Sequence, residues 1–210
     1  MLQVSIQAGT EDAKQADKEL KEVKMAELKD YSGEFRPNVK YQDFSKEALA
    51  RLLVQYARLG LALDGWWQNT VREKYGQDEA IELELATWDR GIPYEQQRVM
   101  KALNIQGKDV AACFKELQMD PQLCMDIFDI TWDLKNNNHG IFTINRCPAV
   151  EHFEKQANTK TMLAMCDLDF RAFEKIARFF NPHIKVTALK LPPRKSTDDI
   201  ACQWEFKLEP

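Results

Sequence analysis

At Pro121 the hydrophobic period of this chain changes from a helical repeat to strict alternation, so helices and strands are segregated along the sequence. Before it, Leu49, Leu53, Tyr56, Gly60, Trp67 and Val71 recur at helical spacing, flanked by Leu52 and Leu63. Ser45 is placed to cap that helix, Glu47 suits its first turn, and Gly76 stops it. A second helix is expected from Asp78, with Ala80, Leu83, Thr87 and Trp88 on one face. Gly91 and Pro93 kink or end it, a further helix runs over 94–103, and a shorter one over 108–117 halts at Asp120-Pro121.

After Pro121, Phe128, Ile130, Trp132 and Leu134 alternate with Asp129, Thr131 and Asp133, the mark of a half-buried strand. The Asn-rich stretch 135–140 is a turn and 141–145 a second strand. Cys147-Pro148 opens a short helix, and Asp167 or Asp169 caps the next, whose face is Phe170, Phe173, Ile176, Ala177 and Phe180. Strands follow over 184–191 and 200–208, the last setting Ile200, Cys202, Trp204, Phe206 and Leu208 on one side. The expected fold is α+β: an N-terminal helical half, 45–120, then a four-stranded antiparallel sheet, 121–210, with helices on one face. Residues 1–44, rich in Lys, Glu, Asp and Gln, read as an extension with one thin helical stripe over 11–28.

Composition narrows the function classes. A net charge of -4 and the lack of a Lys/Arg stripe interleaved with aromatics argue against nucleic acid. The apolar runs are broken by charge well short of a membrane span, and Met1 to Gln7 lacks the pattern of a secretory signal. Five widely spaced cysteines, an odd count, read as reduced thiols in a cytoplasmic protein. No phosphate loop, dinucleotide fingerprint, nucleophile elbow or Ser-His-Asp order is present, and His139 and His183 fall in loop-like stretches.

Three cysteines converge late in the chain. Cys147 and Cys166 are expected just before helices, where the dipole lowers a thiol's pKa, and Cys202 faces inward beside Trp204. With His152, five residues after Cys147, they would make four ligands for zinc or iron, although no CxxC knuckle supplies two of them from one turn. The plainer alternative is that they are small buried hydrophobes, as Cys113 and Cys124 are taken to be. A second constellation is Asp64 with Glu84, one acid on the apolar face of each long helix. Paired carboxylates can hold a metal or exchange protons; otherwise each accepts hydrogen bonds from nearby Trp or backbone groups. Acids among Trp66, Trp67 and Trp88 also describe a ligand pocket with a polar anchor.

The segments Asp64-Gly65-Trp66-Trp67, Lys74-Tyr75-Gly76, Leu85-Ala86-Thr87-Trp88, Arg146-Cys147-Pro148, Cys166, Pro192-Pro193-Arg194 and Cys202-Gln203-Trp204-Glu205-Phe206 resemble an uncharacterised family of prokaryotic cytosolic proteins. That family is similar to the L-2-amino-thiazoline-4-carboxylic acid hydrolase-like group. The resemblance runs from Ser45 to the C-terminus, and the hydrolase name would imply opening of a thiazoline ring by water. The β-β-α-β-β plan with late cysteines is also similar to vinyl-reductase-type sensor domains, some of which bind metal through cysteines, a likeness of fold alone.

Three functions compete. The first is a cytoplasmic small-molecule-binding protein, its pocket between Trp-bearing helices and sheet, with Trp67, Trp88 and Trp204 as ligand contacts and the cysteines at its edge. The second is a hydrolase of C–N or C–S bonds in a small cyclic substrate, with Cys166 or a metal-bound water as nucleophile and Asp64 or Glu84 as base. The third is a structural or interaction protein. The sequence leaves a homodimer open.

Overall fold

A computed structural model describes residues 27–124 and 126–209, and the chain divides into two compact units, 1–53 and 54–210. In the first, Leu28 bridges Phe44, Tyr31 meets the Phe44 ring edge-on, and the Arg51 guanidinium donates to the Lys29 carbonyl at 2.6 Å. The helix expected over 11–28 lies outside the described residues apart from its last two.

Helix α1 runs from Lys46 to Tyr75. The Ser45 hydroxyl accepts from the Ala48 N–H at 3.2 Å, satisfying one of the amides a helix start leaves open. Gly76, at φ 95°, ends the helix in a conformation that costs glycine little. The buried residues of α1 are Ala57, Gln68 and Val71, whereas Leu53, Tyr56, Leu63, Trp66 and Trp67 are exposed. The inward stripe is therefore 57-61-64-68-71, one position off the large apolar residues.

Helix α2 is continuous from Gln77 to Leu103, against the expectation that Pro93 would divide it. Pro93 and Asp89, whose carbonyl loses its helical donor, both lie on the exposed face, where water substitutes for the missing N–H. Its inward line is Ala80, Glu84, Trp88, Ile92 and Gln96, at four-residue steps, while Leu83 and Thr87 point outward. Helix α3, Val110–Leu117, starts where the Asp109 carboxylate accepts from the Ala112 N–H at 2.8 Å.

Strands β1 (Asp129–Asn136) and β2 (His139–Arg146) form a hairpin. They are followed by α4 (Pro148–Lys155), α5 (Thr159–Phe180), β3 (Ile184–Lys190) and β4 (Cys202–Leu208). The sheet is antiparallel throughout, in the order β1-β2-β4-β3, so the expected α+β fold stands. His139, expected in a loop, opens β2, and its Nε2 lies 2.9 Å from Glu205 Oε1. Registry sets Ile144 beside Cys202, Phe142 beside Trp204 and Gly140 beside Phe206, all on the buried face. Helices α3 and α5 cover that face. The Phe114 ring stands edge-on to Trp132, Phe142 and Phe206, and Phe173 edge-on to Phe142 and Trp204. A Cβ on Gly140 would lie 2.5 Å from Phe114 Cε2, so only glycine lets α3 pack this close to the sheet.

Helix α5 begins much earlier than expected. Asn158, not Asp167 or Asp169, caps it, accepting from the Thr161 N–H at 3.2 Å. Cys166 and Asp169 are thus mid-helix residues two turns or more from the start. Arg194, beyond the cis Pro192-Pro193 bond, forks onto the Glu154 carboxylate at 3.0 and 2.5 Å and ties the β3–β4 loop to α4. No helix among the described residues is long and apolar enough to cross a membrane.

Candidate functional site: a cavity walled by aromatics and acids

Where α1, α2, α5 and the start of α4 meet the buried face of β2 and β4, the second unit forms a cavity of about 600 Å³ that is partly open to solvent. Most of its wall is apolar, with Ile144, Phe153, Ala172, Phe173, Ile176 and Trp204 among the lining. Such a volume lies within the range of small-molecule sites.

Helical spacing places the acids. Asp64 and Gln68 are one turn apart on the inward line of α1, and Glu84 sits one turn before Trp88 on that of α2. Asp169 follows Cys166 by three residues on α5, and all six side chains line the cavity. Glu84 is 1% exposed, and neither of its carboxyl oxygens has a hydrogen-bond partner; the Gln68 Nε2 beside it is also unpartnered. Burial first, then the Asp64 and Asp169 charges, push the Glu84 carboxyl up to about 8, and the nearby Gln68 amide offsets part of this without closing a bond. Asp169 is reached by solvent, yet the protein crowded round it and the Asp64 charge raise it to about 7. Asp64 is raised by burial.

A second acidic group lies further along α2. Glu95, Gln96 and Asp120 line the cavity, and Glu116, fully buried behind them, has no partner for either oxygen. Burial, then the Asp120 and Glu95 charges, push Glu116 up to about 8. Burial raises both Glu95 and Asp120, the latter held back by the Gln122 and Leu123 N–H groups it accepts from. None of the five cavity carboxyls forms an ion pair among the described residues.

The expected site residues fare unequally. Asp64, Glu84, Trp88, Trp204, Cys147, Cys166, Cys202 and His152 all line the cavity. Trp67 does not. It is 39% exposed, because Gln68 and not Trp67 continues the Asp64 face, and Trp66 reaches the cavity rim instead. Cys166 is not at a helix start, so the dipole gives its thiol no help; burial and Asp169 raise its pKa far above the ordinary value. Cys147 does precede α4, but burial outweighs the two backbone N–H groups beside it and leaves it at about 11. Cys202 is pushed up to about 12 by burial, although Trp204 Nε1 donates to its sulfur at 3.1 Å. The three thiols are therefore protonated at neutral pH. Among the described residues no three His, Cys, Asp or Glu side chains converge closely enough to hold a metal ion, so the four-ligand set does not close.

Sequence reasoning passed over Gln68, Glu95, Gln96, Glu116, Asp120 and Asp169. The signal for Glu116 was present: it stands between Cys113-Phe114 and Leu117 on a short, mostly apolar helix. Asp169 was masked by the misplaced helix start.

The chain matches, over residues 42–208, the model of a protein family described as a family of unknown function (DUF6125). No curated protein and no solved structure matches it.

Proposed function

We propose that this chain, which belongs to that family of unknown function, is a cytoplasmic small-molecule-binding protein whose ligand occupies the cavity between the Trp-bearing helices and the sheet. One observation carries the reading. Glu84, Gln68 and Gln96 line an apolar space large enough for a ligand, and each carries a fully buried polar atom without a partner. An unsatisfied buried polar group costs about 1–3 kcal/mol, and a ligand that supplies the missing bonds recovers it. Trp88 and Trp204 give the ligand flat apolar walls, and the three neutral thiols serve as polarizable surface at the cavity edge.

Titration with the neutral dye N-phenyl-1-naphthylamine tests this. Dye fluorescence should rise and saturate at one dye per chain, with energy transfer on tryptophan excitation that weakens in Trp204→Phe. A non-saturating rise with no energy transfer would sink the reading.

A second reading has support of its own: Glu84 and Asp169, at about 8 and 7, are suited to proton transfer near neutral pH. In a hydrolase of C–N or C–S bonds, Asp169 or Asp64 would activate water and neutral Glu84 would protonate the leaving group. Release of thiol from a thiazoline carboxylate, retained in Cys166→Ala and lost in Glu84→Gln, is the expected outcome; no release with wild-type protein rejects it.

A further inference from the structure

The wall of the cavity is unbalanced in charge and in hydrogen bonding, and the imbalance has one sign. Five carboxyls line it, Asp64, Glu84, Glu95, Asp120 and Asp169, against a single guanidinium, Arg58. Arg58 is exposed and forms no ion pair with any of them among the described residues. Glu84 is the innermost, 1% exposed and with both oxygens open. From α1 it is faced by Asp64 and Gln68, and from α5 by Asp169; the thiols of Cys147, Cys166 and Cys202 are the other titratable groups nearby, with His152 on the same wall. If the Gln68 amide turned to donate to Glu84, it would satisfy one oxygen and leave the other acceptors unfilled. What is missing is a donor of several N–H bonds that carries positive charge.

We propose that the ligand of this cavity is an organic amine bound as its cation, the ammonium seated on Glu84 between Asp64 and Asp169 and its hydrocarbon part lying against Trp88, Phe173 and Trp204. The proposal rests on the small-molecule reading above and names the ligand class. Three ammonium N–H donors fill acceptor sites on three carboxyls at once, and the aromatic faces favour a neighbouring cation. A carboxylate ligand would meet three acids and no buried base. Seating the ammonium requires the neutral Glu84 carboxyl to give up its proton. The ammonium arrives charged from bulk water, the carboxyl becomes carboxylate, and the proton passes to solvent. Asp169, at about 7, is half-protonated at neutral pH and gives up its share as well, so binding is accompanied by net release of about one to one and a half protons.

The test uses three eight-carbon probes that differ in head group, octylamine, 1-octanol and octanoate, titrated calorimetrically at pH 7 in two buffers of different ionisation enthalpy. Octylamine should bind at least tenfold more tightly than either of the others, with a buffer-dependent enthalpy that reports about one to one and a half protons released. Glu84→Gln should lose the preference for the amine over octanol and lose most of the proton release. Should Glu84→Gln not fold, Asp169→Asn should show a weakened preference. Equal or tighter binding of octanol or octanoate overturns the amine class while the cavity remains a binding site. Failure of all three probes in protein that still saturates with the neutral dye overturns it too. Failure of the dye as well is failure of the small-molecule reading itself.

Discussion

Glu84 is a poor choice for stability, and that makes it informative. Its carboxyl is ionised in the unfolded chain above pH 4.5 but keeps its proton in the fold up to about 8. Between those values the folded state binds more protons than the unfolded one, so the contribution is fully present below 4.5 and is lost as pH rises through 8. Urea midpoints of the ligand-free protein should fall across that window, by about 1.4 kcal/mol per pH unit for each such group that titrates fully. Glu84→Gln should flatten the slope and be the more stable protein at pH 8, while losing ligand affinity. A purely structural residue would lose stability when changed. Gly140 is the opposite case: Gly140→Ala puts a methyl into the Phe114 ring and should cost about 1–3 kcal/mol in chemical denaturation, with no change in ligand selectivity.

At the scale of elements, the caps and the helix faces separate cleanly in how readable they were. Ser45, Gly76 and the Asp120-Pro121 stop are local signals, set by backbone groups a few residues away, and they appear where the sequence indicates. Strand directions were equally legible, because alternation along Cys202, Trp204 and Phe206 fixes which side is buried without reference to the rest of the fold. The face of α1 was not, because hydrophobic residues occupy two adjacent stripes and the larger ones, Leu53, Tyr56, Leu63 and Trp67, are those left outside. Size favoured the wrong stripe; the inward one carries Asp64 and Gln68. Pro93 misled for a related reason, since a lost hydrogen bond matters little on a solvated face. Two substitutions check the element assignments by equilibrium denaturation. Asp109→Ala removes the α3 cap and should cost about 1 kcal/mol. Gly65→Ala, within α1 and with no atom within 4 Å of the added carbon, should gain about 0.5–1 kcal/mol.

Over the whole second unit, the recurring pattern is an apolar wall interrupted by acids that have no cation to meet. Asp64 and Glu84 were visible in sequence because each breaks a stripe of hydrophobic residues. Asp169 and the Glu95, Glu116 and Asp120 group were hidden, because their convergence depends on α2 packing against α5 and α3, which no spacing along one segment reveals. The start of α4, helix α5 and strand β4 bring the three cysteines to one wall of the cavity, where burial keeps them protonated. A ligand in that cavity is what gives these acids a role. Ala172, on α5 three residues beyond Asp169 and 9% exposed, lines the space, and a phenyl ring there would occupy it. The decisive measurement is the N-phenyl-1-naphthylamine titration run side by side on wild-type protein and a folded Ala172→Phe variant. Saturation at one dye per chain is expected in the first, and at least a tenfold loss of affinity in the second. Equal binding by the two proteins would place the dye elsewhere and contradict a ligand site in this cavity.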